Sequence, residues 1–168
     1  MVLSIFHRLW ASLRPKHRLS CRRTLWQRLA SKLRERGGGY RESGAFLLGR
    51  RVGDERIVED FILYDDVDPT ALQGIIVFDA ARIDQVWARC AEQGLEVVAD
   101  VHTHPGGFGQ SDIDQAHPMI PQKGHLALII PHFAQRDFEP PQVGIYEYRG
   151  REDWINHSAR GRRFFRIR

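Results

Sequence analysis

Val101-His102-Thr103-His104-Pro105-Gly106-Gly107-Phe108-Gly109-Gln110-Ser111-Asp112-Ile113-Asp114 is the stretch on which the reading of this chain turns. It follows an apolar run, Leu95 to Val101, that predicts a strand. Side chains alternate along a strand, so His102 and His104 project from one face of it. Ser111-x-x-Asp114 resembles a capping box, which predicts a helix starting at Ser111 with the carboxylate on its first turn. Two imidazoles and a carboxylate further on are donors of the kind a catalytic zinc uses, with one position left for water. A strand, a glycine-rich turn and a helix start thus converge on a candidate metal centre.

The rest of the chain supplies a scaffold for it. Ala45 to Gly49 and Arg56 to Tyr64 predict two strands joined at Gly53-Asp54, followed by a polar connection, Asp65 to Thr70. Gly74 to Phe78 is a third apolar run. Asp79 caps a predicted helix over Ala80 to Gln93, with Ile83, Val86, Trp87 and Cys90 on one face and Gly94 as its stop. Gly124 to Ile130 and Val143 to Tyr148 read as further strands. Asp153 to Arg168, with Trp154 and Phe164-Phe165, closes or covers the sheet. The expected fold class is α+β: a mostly antiparallel, curved sheet flanked by helices.

Three segments are expected: residues 1–36 as a basic amphipathic extension, 37–41 as a glycine-rich linker, and 42–168 as the catalytic domain. Leu25, Leu29 and Leu33 recur at helical spacing, so Thr24 to Arg36 predicts an amphipathic helix, separated by Pro15 from a shorter first piece. Its readings stay open: an anchor for a membrane surface or acidic partner, a poorly ordered extension, or a helix packed on the domain. Residues 1–36 carry ten Lys/Arg against Glu35 alone, whereas residues 42–147 carry seven against eighteen Asp/Glu. Seven arginines follow from Arg149 onward. An acidic body with basic ends weighs against a nucleic-acid-binding domain, despite the net charge of +4. Two widely spaced cysteines, Cys21 and Cys90, predict no disulfide framework and fit a reducing cytoplasm. No apolar run approaches membrane-spanning length, and the first ten residues lack a signal-peptide layout.

Upstream, Glu42 stands just ahead of the Ala45 strand in Glu42-x-x-Ala45-x-Leu47-x-Gly49. With His102-Thr103-His104-Pro105 and Ser111-x-x-Asp114, this series resembles the JAMM (MPN+) metalloproteases, over roughly Glu42 to Tyr148. The resemblance implies the JAMM/MPN (cytidine-deaminase-like) architecture and Zn²⁺ on His102, His104 and Asp114. It also implies Glu42 as general base and acid, and Ser111 as a helper of the oxyanion. The implied activity is hydrolysis of an isopeptide or peptide bond after the C-terminus of a ubiquitin-like protein, deconjugating it or trimming a precursor. Activating-like and conjugating-like enzymes are the implied pathway partners. The loop between His104 and Ser111 is one residue shorter than the family pattern. Because the helix turn sets the Ser–Asp geometry, Asp114 is preferred to Asp112 as ligand, and Gly106, Gly107 and Gly109 are expected to give the shortened loop its freedom. Asp100, on the histidine face, is expected to be a solvated carboxylate, with orientation of an imidazole as the alternative. Thr103 is expected to face away from the ligands and bond within the sheet. Competing functions are a non-catalytic scaffold of the same fold that binds a protein partner, and a RadC-like, nucleic-acid-associated role.

Overall fold

The computed structural model describes residues 17–72 and 80–168. In chain order the elements are β1 (Leu19–Cys21), α1 (Arg23–Gly37), β2 (Gly44–Val52), β3 (Glu55–Leu63), α2 (Tyr64–Val67), α3 (Ile83–Gln93), β4 (Glu96–Thr103) and α4 (Asp112–Ala116). They continue with β5 (Leu126–Ile130), β6 (Gly144–Gly150), β7 (Asp153–Asn156) and β8 (Phe165–Ile167). The strands form one sheet in the order β7-β6-β5-β4-β2-β3-β1-β8. The α+β class holds, but the sheet is mixed: four pairings are antiparallel, while β4–β5, β1–β3 and β1–β8 are parallel. The expectation of a mostly antiparallel sheet missed β1, because three residues between two parallel neighbours show no alternation to read.

Two of these features position the candidate site. The β2–β3 hairpin turns at Gly53, whose φ of 59° suits glycine, and lays Gly44 opposite His102 on β4. The parallel step from β4 to β5 needs a crossover, and α4 lies within it, so Asp114 is carried over the C-terminal end of β4.

Each face of the sheet is covered by a helix. α1 presents Leu25, Trp26, Leu29, Ala30 and Leu33, all buried, to Ala45, Leu47, Val58 and Val101. α3 presents Val86 and Cys90 to Phe46, Leu48 and Ile62 on the opposite face. The predicted helix face at Ile83–Cys90 is correct for Val86, Cys90 and the partly buried Ile83, but Trp87 stays 41% exposed. Ala80–Arg82 is a 3-10 turn and the α-helix proper begins at Ile83. Gly94 stops it in the left-handed conformation, φ 64°, as predicted. The apolar run Gly74 to Phe78, the cap at Asp79 and the first helical piece before Pro15 lie outside the described residues.

At residues 37–41, expected as a linker, the chain passes from helix to strand. Gly38, φ 59°, is the C-cap of α1, and helix and strands share one core. Trp26 Nε1 donates to the Phe138 carbonyl at 2.8 Å, and its ring meets Phe165 edge-on at 5.0 Å. Of the three readings of this segment, packing on the domain is the one that Arg23–Gly37 takes. Its basic face meets acidic groups of the same chain: Arg23–Glu139 at 2.7 Å, Arg28–Asp60 at 3.2 Å, Arg34–Asp137 at 3.5 Å, and Arg36 with Asp65 and Asp66. The charge asymmetry of the sequence is thus partly neutralised within the molecule. Each exposed pair adds little to stability, on the order of 0–1 kcal/mol. No helix among the described residues is long and apolar enough to cross a membrane.

Candidate metal centre

β4 delivers His102, and His104 follows directly after the strand. The His104 N–H donates to the Ile130 carbonyl at 3.0 Å, and its own carbonyl accepts from Phe133 N–H at 2.8 Å. This extends the β4–β5 pairing by one residue and keeps both imidazoles on one face. Behind that face, Thr103 does what the alternation predicts. Its Oγ1 accepts from Ser43 N–H at 3.0 Å, while the Ser43 hydroxyl donates to the Leu33 carbonyl of α1 at 2.7 Å. Docking of α1 therefore helps set the segment that carries Glu42.

The loop 105–110 does not use its glycines as expected. Gly106, Gly107 and Gly109 are absent from the positive-φ residues, and a Cβ at any of them would meet nothing within 4 Å. The constraint sits opposite: a Cβ on Gly144 would collide with the Phe108 carbonyl oxygen, which also accepts from Tyr146 Oη at 3.0 Å. Strain sits in the next turn, where His132, Phe133 and Ala134 are consecutively left-handed at φ 53°, 51° and 54°. Such a conformation costs roughly 1–2 kcal/mol per non-glycine residue. The turn is fastened to the loop by His132 N–H to Gly106 O and by the Phe133 bond to His104.

α4 starts as its sequence predicts. Ser111 is the N-cap; its Oγ accepts from Asp114 N–H at 3.2 Å, while its own N–H donates to Asp114 Oδ2 at 2.7 Å. The Ser111 hydroxyl also donates to Asp114 Oδ2, at 2.8 Å. Asp114 is thereby turned toward the histidines, and Asp112 is exposed. His102 Nε2 lies 3.0 Å from His104 Nε2 and 3.2 Å from Asp114 Oδ1, and His104 Nε2 lies 3.1 Å from Asp114 Oδ2. These three residues are brought together as a group able to hold a metal ion. Bonds of 2.0–2.1 Å to a tetrahedral ion place donor atoms about 3.3 Å apart. The donor set and its spacing therefore fit such an ion.

Electrostatics point the same way. Burial opposes the charge on Asp114, yet hydrogen bonds from His102 and His104 outweigh it and hold the carboxyl well below the usual carboxylate range. Burial likewise opposes a charged His102, but the bond to Asp114, and then the charges of Asp114, Asp100 and Glu42, lift it above the ordinary imidazole value. Glu42 lines the same cleft as His102 and Asp114. Burial raises its carboxyl above the ordinary value, against the pull of His104 and His102 and with some help from Asp114.

Several cleft residues were not singled out by sequence. Ile113, Pro118, Met119 and Trp154 give the cleft an apolar lining, with His117 among its other residues. Trp154 Nε1 donates to Gln115 O at 3.1 Å, which ties β7 to α4, and its ring packs on Tyr148. No local pattern marks these residues, since strand edge and helix end meet only in the fold. Asp100 is a correction: it is 2% exposed, not solvated, and its carboxylate accepts from Tyr64 Oη at 3.0 Å with His125 Nε2 at 2.6 Å.

A model built on the prokaryotic homologs of the JAB domain matches residues 23–139, well over half of the chain. The chain belongs to that family. The match begins with α1 and includes Glu42, His102, His104, Ser111 and Asp114, so the JAB domain here takes in the basic helix. A protein named probable metalloprotease y4jG, from Sinorhizobium fredii, is 32% identical over 63 residues, covering 38% of this chain and 39% of that protein. The chain thus matches about two fifths of that curated relative's length. Among solved structures, protein DSY2949 from Desulfitobacterium hafniense aligns over 89% of this chain and 92% of its own, with TM-score 0.62 and 18% identity. A protein from Salinibacter ruber aligns over 82% and 88%, with TM-score 0.57 and 17% identity. Those two likenesses are of fold alone.

Proposed function

We propose that this JAB-domain protein is a zinc-dependent peptidase or isopeptidase that cleaves after the C-terminus of a ubiquitin-like protein, by deconjugation or by precursor processing. The observation that carries the chemistry is the convergence of His102, His104 and Asp114 at a cleft that His102, Asp114 and Glu42 line. The choice of a ubiquitin-like substrate rests on the motif resemblance.

His102, His104 and Asp114 would hold the zinc, which when bound supplies a Lewis acid that makes water nucleophilic at neutral pH and polarises a carbonyl. Glu42 takes a proton from the attacking water and returns it to the departing amine; its burial-raised carboxyl is suited to both directions. The hydroxyl of Ser111 at rest donates to Asp114 Oδ2, so its first task is to aim that carboxylate. Help to an oxyanion requires Ser111 to exchange that bond during the reaction. Ile113, Met119 and Trp154 give the cleft an apolar lining.

The test is Glu42→Gln with zinc content and cleavage measured on one preparation. Ubiquitin-like proteins bearing C-terminal extensions or lysine-linked conjugates serve as probes, read by intact mass. Zinc at wild-type stoichiometry with cleavage reduced about a hundredfold or more is expected. Full cleavage by that variant removes Glu42 from its role, and a wild-type protein that cleaves none of the probes refutes the substrate class.

A further inference from the structure

Asp100 lies one pleat repeat before His102, on the same face of β4, and both line the cleft. Its carboxylate accepts from Tyr64 Oη at 3.0 Å, and His125 Nε2 stands 2.6 Å from its other oxygen. An ionised carboxylate only accepts, so the contact with His125 requires the proton on Nε2. All three groups are buried: Tyr64 is 0% exposed, Asp100 2% and His125 6%.

Such a cluster is costly to keep. A buried ionic group is often replaced by apolar residues without loss of stability, and the neighbours here are apolar. Phe46, paired with Asp100 on β2, is fully buried, and Ala127 is its partner on β5. Packing alone therefore gives no reason for a carboxylate at this position. The fold nonetheless makes room for the cluster. Gly44, paired with His102, has no side chain where a Cβ would run into the Tyr64 ring.

Tyr64 opens α2, directly after β3, and His125 comes from just before β5. Asp100 thus fastens three segments at the strand position preceding the first candidate ligand. We propose that Asp100, clamped by Tyr64 and His125, is a positioning residue of the metal centre, fixing the β4 ligand strand and placing a carboxylate beside the cation that His102, His104 and Asp114 would hold. This rests on the metal reading given above. Partners beyond the ligands commonly set metal affinity by about 10- to 100-fold.

The experiment measures the zinc Kd of the full chain by competition with a chromophoric chelator, and the melting temperature of the metal-free protein. Wild type is compared with Asp100→Asn and Tyr64→Phe. Asp100→Asn is expected to bind zinc about tenfold or more weakly, and Tyr64→Phe about threefold more weakly, each from a cooperatively folded apoprotein. A merely structural cluster lowers the apoprotein melting temperature and leaves the Kd of the folded protein unchanged; that result overturns the proposal. Should Asp100→Asn fail to fold, Tyr64→Phe decides alone, and a wild-type Kd in it is equally fatal. Wild-type protein that takes up no zinc overturns the metal reading and this one with it, whereas wild-type uptake with unaltered variants overturns only this one.

Discussion

Leu33→Ala distinguishes a helix appended to the domain from one that belongs to it. Leu33 is 0% exposed on α1, and its backbone carbonyl accepts the Ser43 hydroxyl next to Glu42. The substitution deletes three carbons, about 2.4 kcal/mol of transfer free energy at roughly 0.8 kcal/mol each. The cavity left behind raises the total to about 3 kcal/mol, within the range of about 2–5 kcal/mol for buried leucines. With a urea m-value of about 2 kcal/mol/M, the unfolding midpoint falls by about 1.5 M, a large part of a marginal total stability. Exposed Gln27 on the same helix is the control, and its alanine variant stays within about 0.5 kcal/mol of wild type. Urea titrations followed by tryptophan fluorescence and by far-ultraviolet circular dichroism read the result. A Leu33→Ala midpoint within the error of the Gln27→Ala midpoint refutes the integration of α1 and restores a boundary at residues 37–41.

Other outcomes follow from single features. Gly144→Ala drives a methyl into the Phe108 carbonyl, so it destabilises by about 1–3 kcal/mol and weakens zinc binding, checked by melting and chelator competition; an unchanged protein denies that this approach holds the loop. Glu147 is depressed below its ordinary value: burial opposes its charge, but His157, at 2.9 Å, and then Arg18 outweigh that. A lowered folded-state pKa contributes stability above the unfolded value of about 4.3 and loses it as pH falls through the folded value. Glu147→Gln is therefore less stable than wild type at pH 7, and the gap narrows on acidification below about pH 4; a gap that widens in acid contradicts the sign. Burial pushes the Cys21 thiol up to about 12 and raises that of Cys90. Both should react slowly with an aromatic disulfide reagent at pH 8 and fast after denaturation, and prompt labelling of the native protein is the contrary result.

The parts of the fold that carry His102, His104 and Asp114 were legible because their signals are local. An apolar run predicted β4, a four-residue capping pattern predicted α4 and chose Asp114, and glycine stops marked the ends of α1 and α3. The apolar stripe Leu25, Leu29, Leu33 predicted a helix but not what it packs against, since charge and spacing read alike on an anchor and on a core helix. Asp100 misled for the same reason: a carboxylate on a strand reads as solvated until Tyr64 and His125, distant in sequence, are folded against it. The apolar lining at Trp154 joins a strand at the sheet edge to the end of a short helix, a meeting that no window of sequence contains. The left-handed run at His132–Ala134 runs against local preference, so its three residues give no warning.

The pairing of β1 with β8 sets a constraint on how the chain assembles. Leu19 meets Phe165, and β1 cannot complete both of its ladders until the far end of the described chain has arrived. Contacts so remote in sequence are slow to form, since much of the intervening chain must first be brought into place. On a ribosome, the outer edge of β1 stays without its neighbour until translation has passed residue 167, and this seam is where a nascent chain is most open to pairing with another copy of itself.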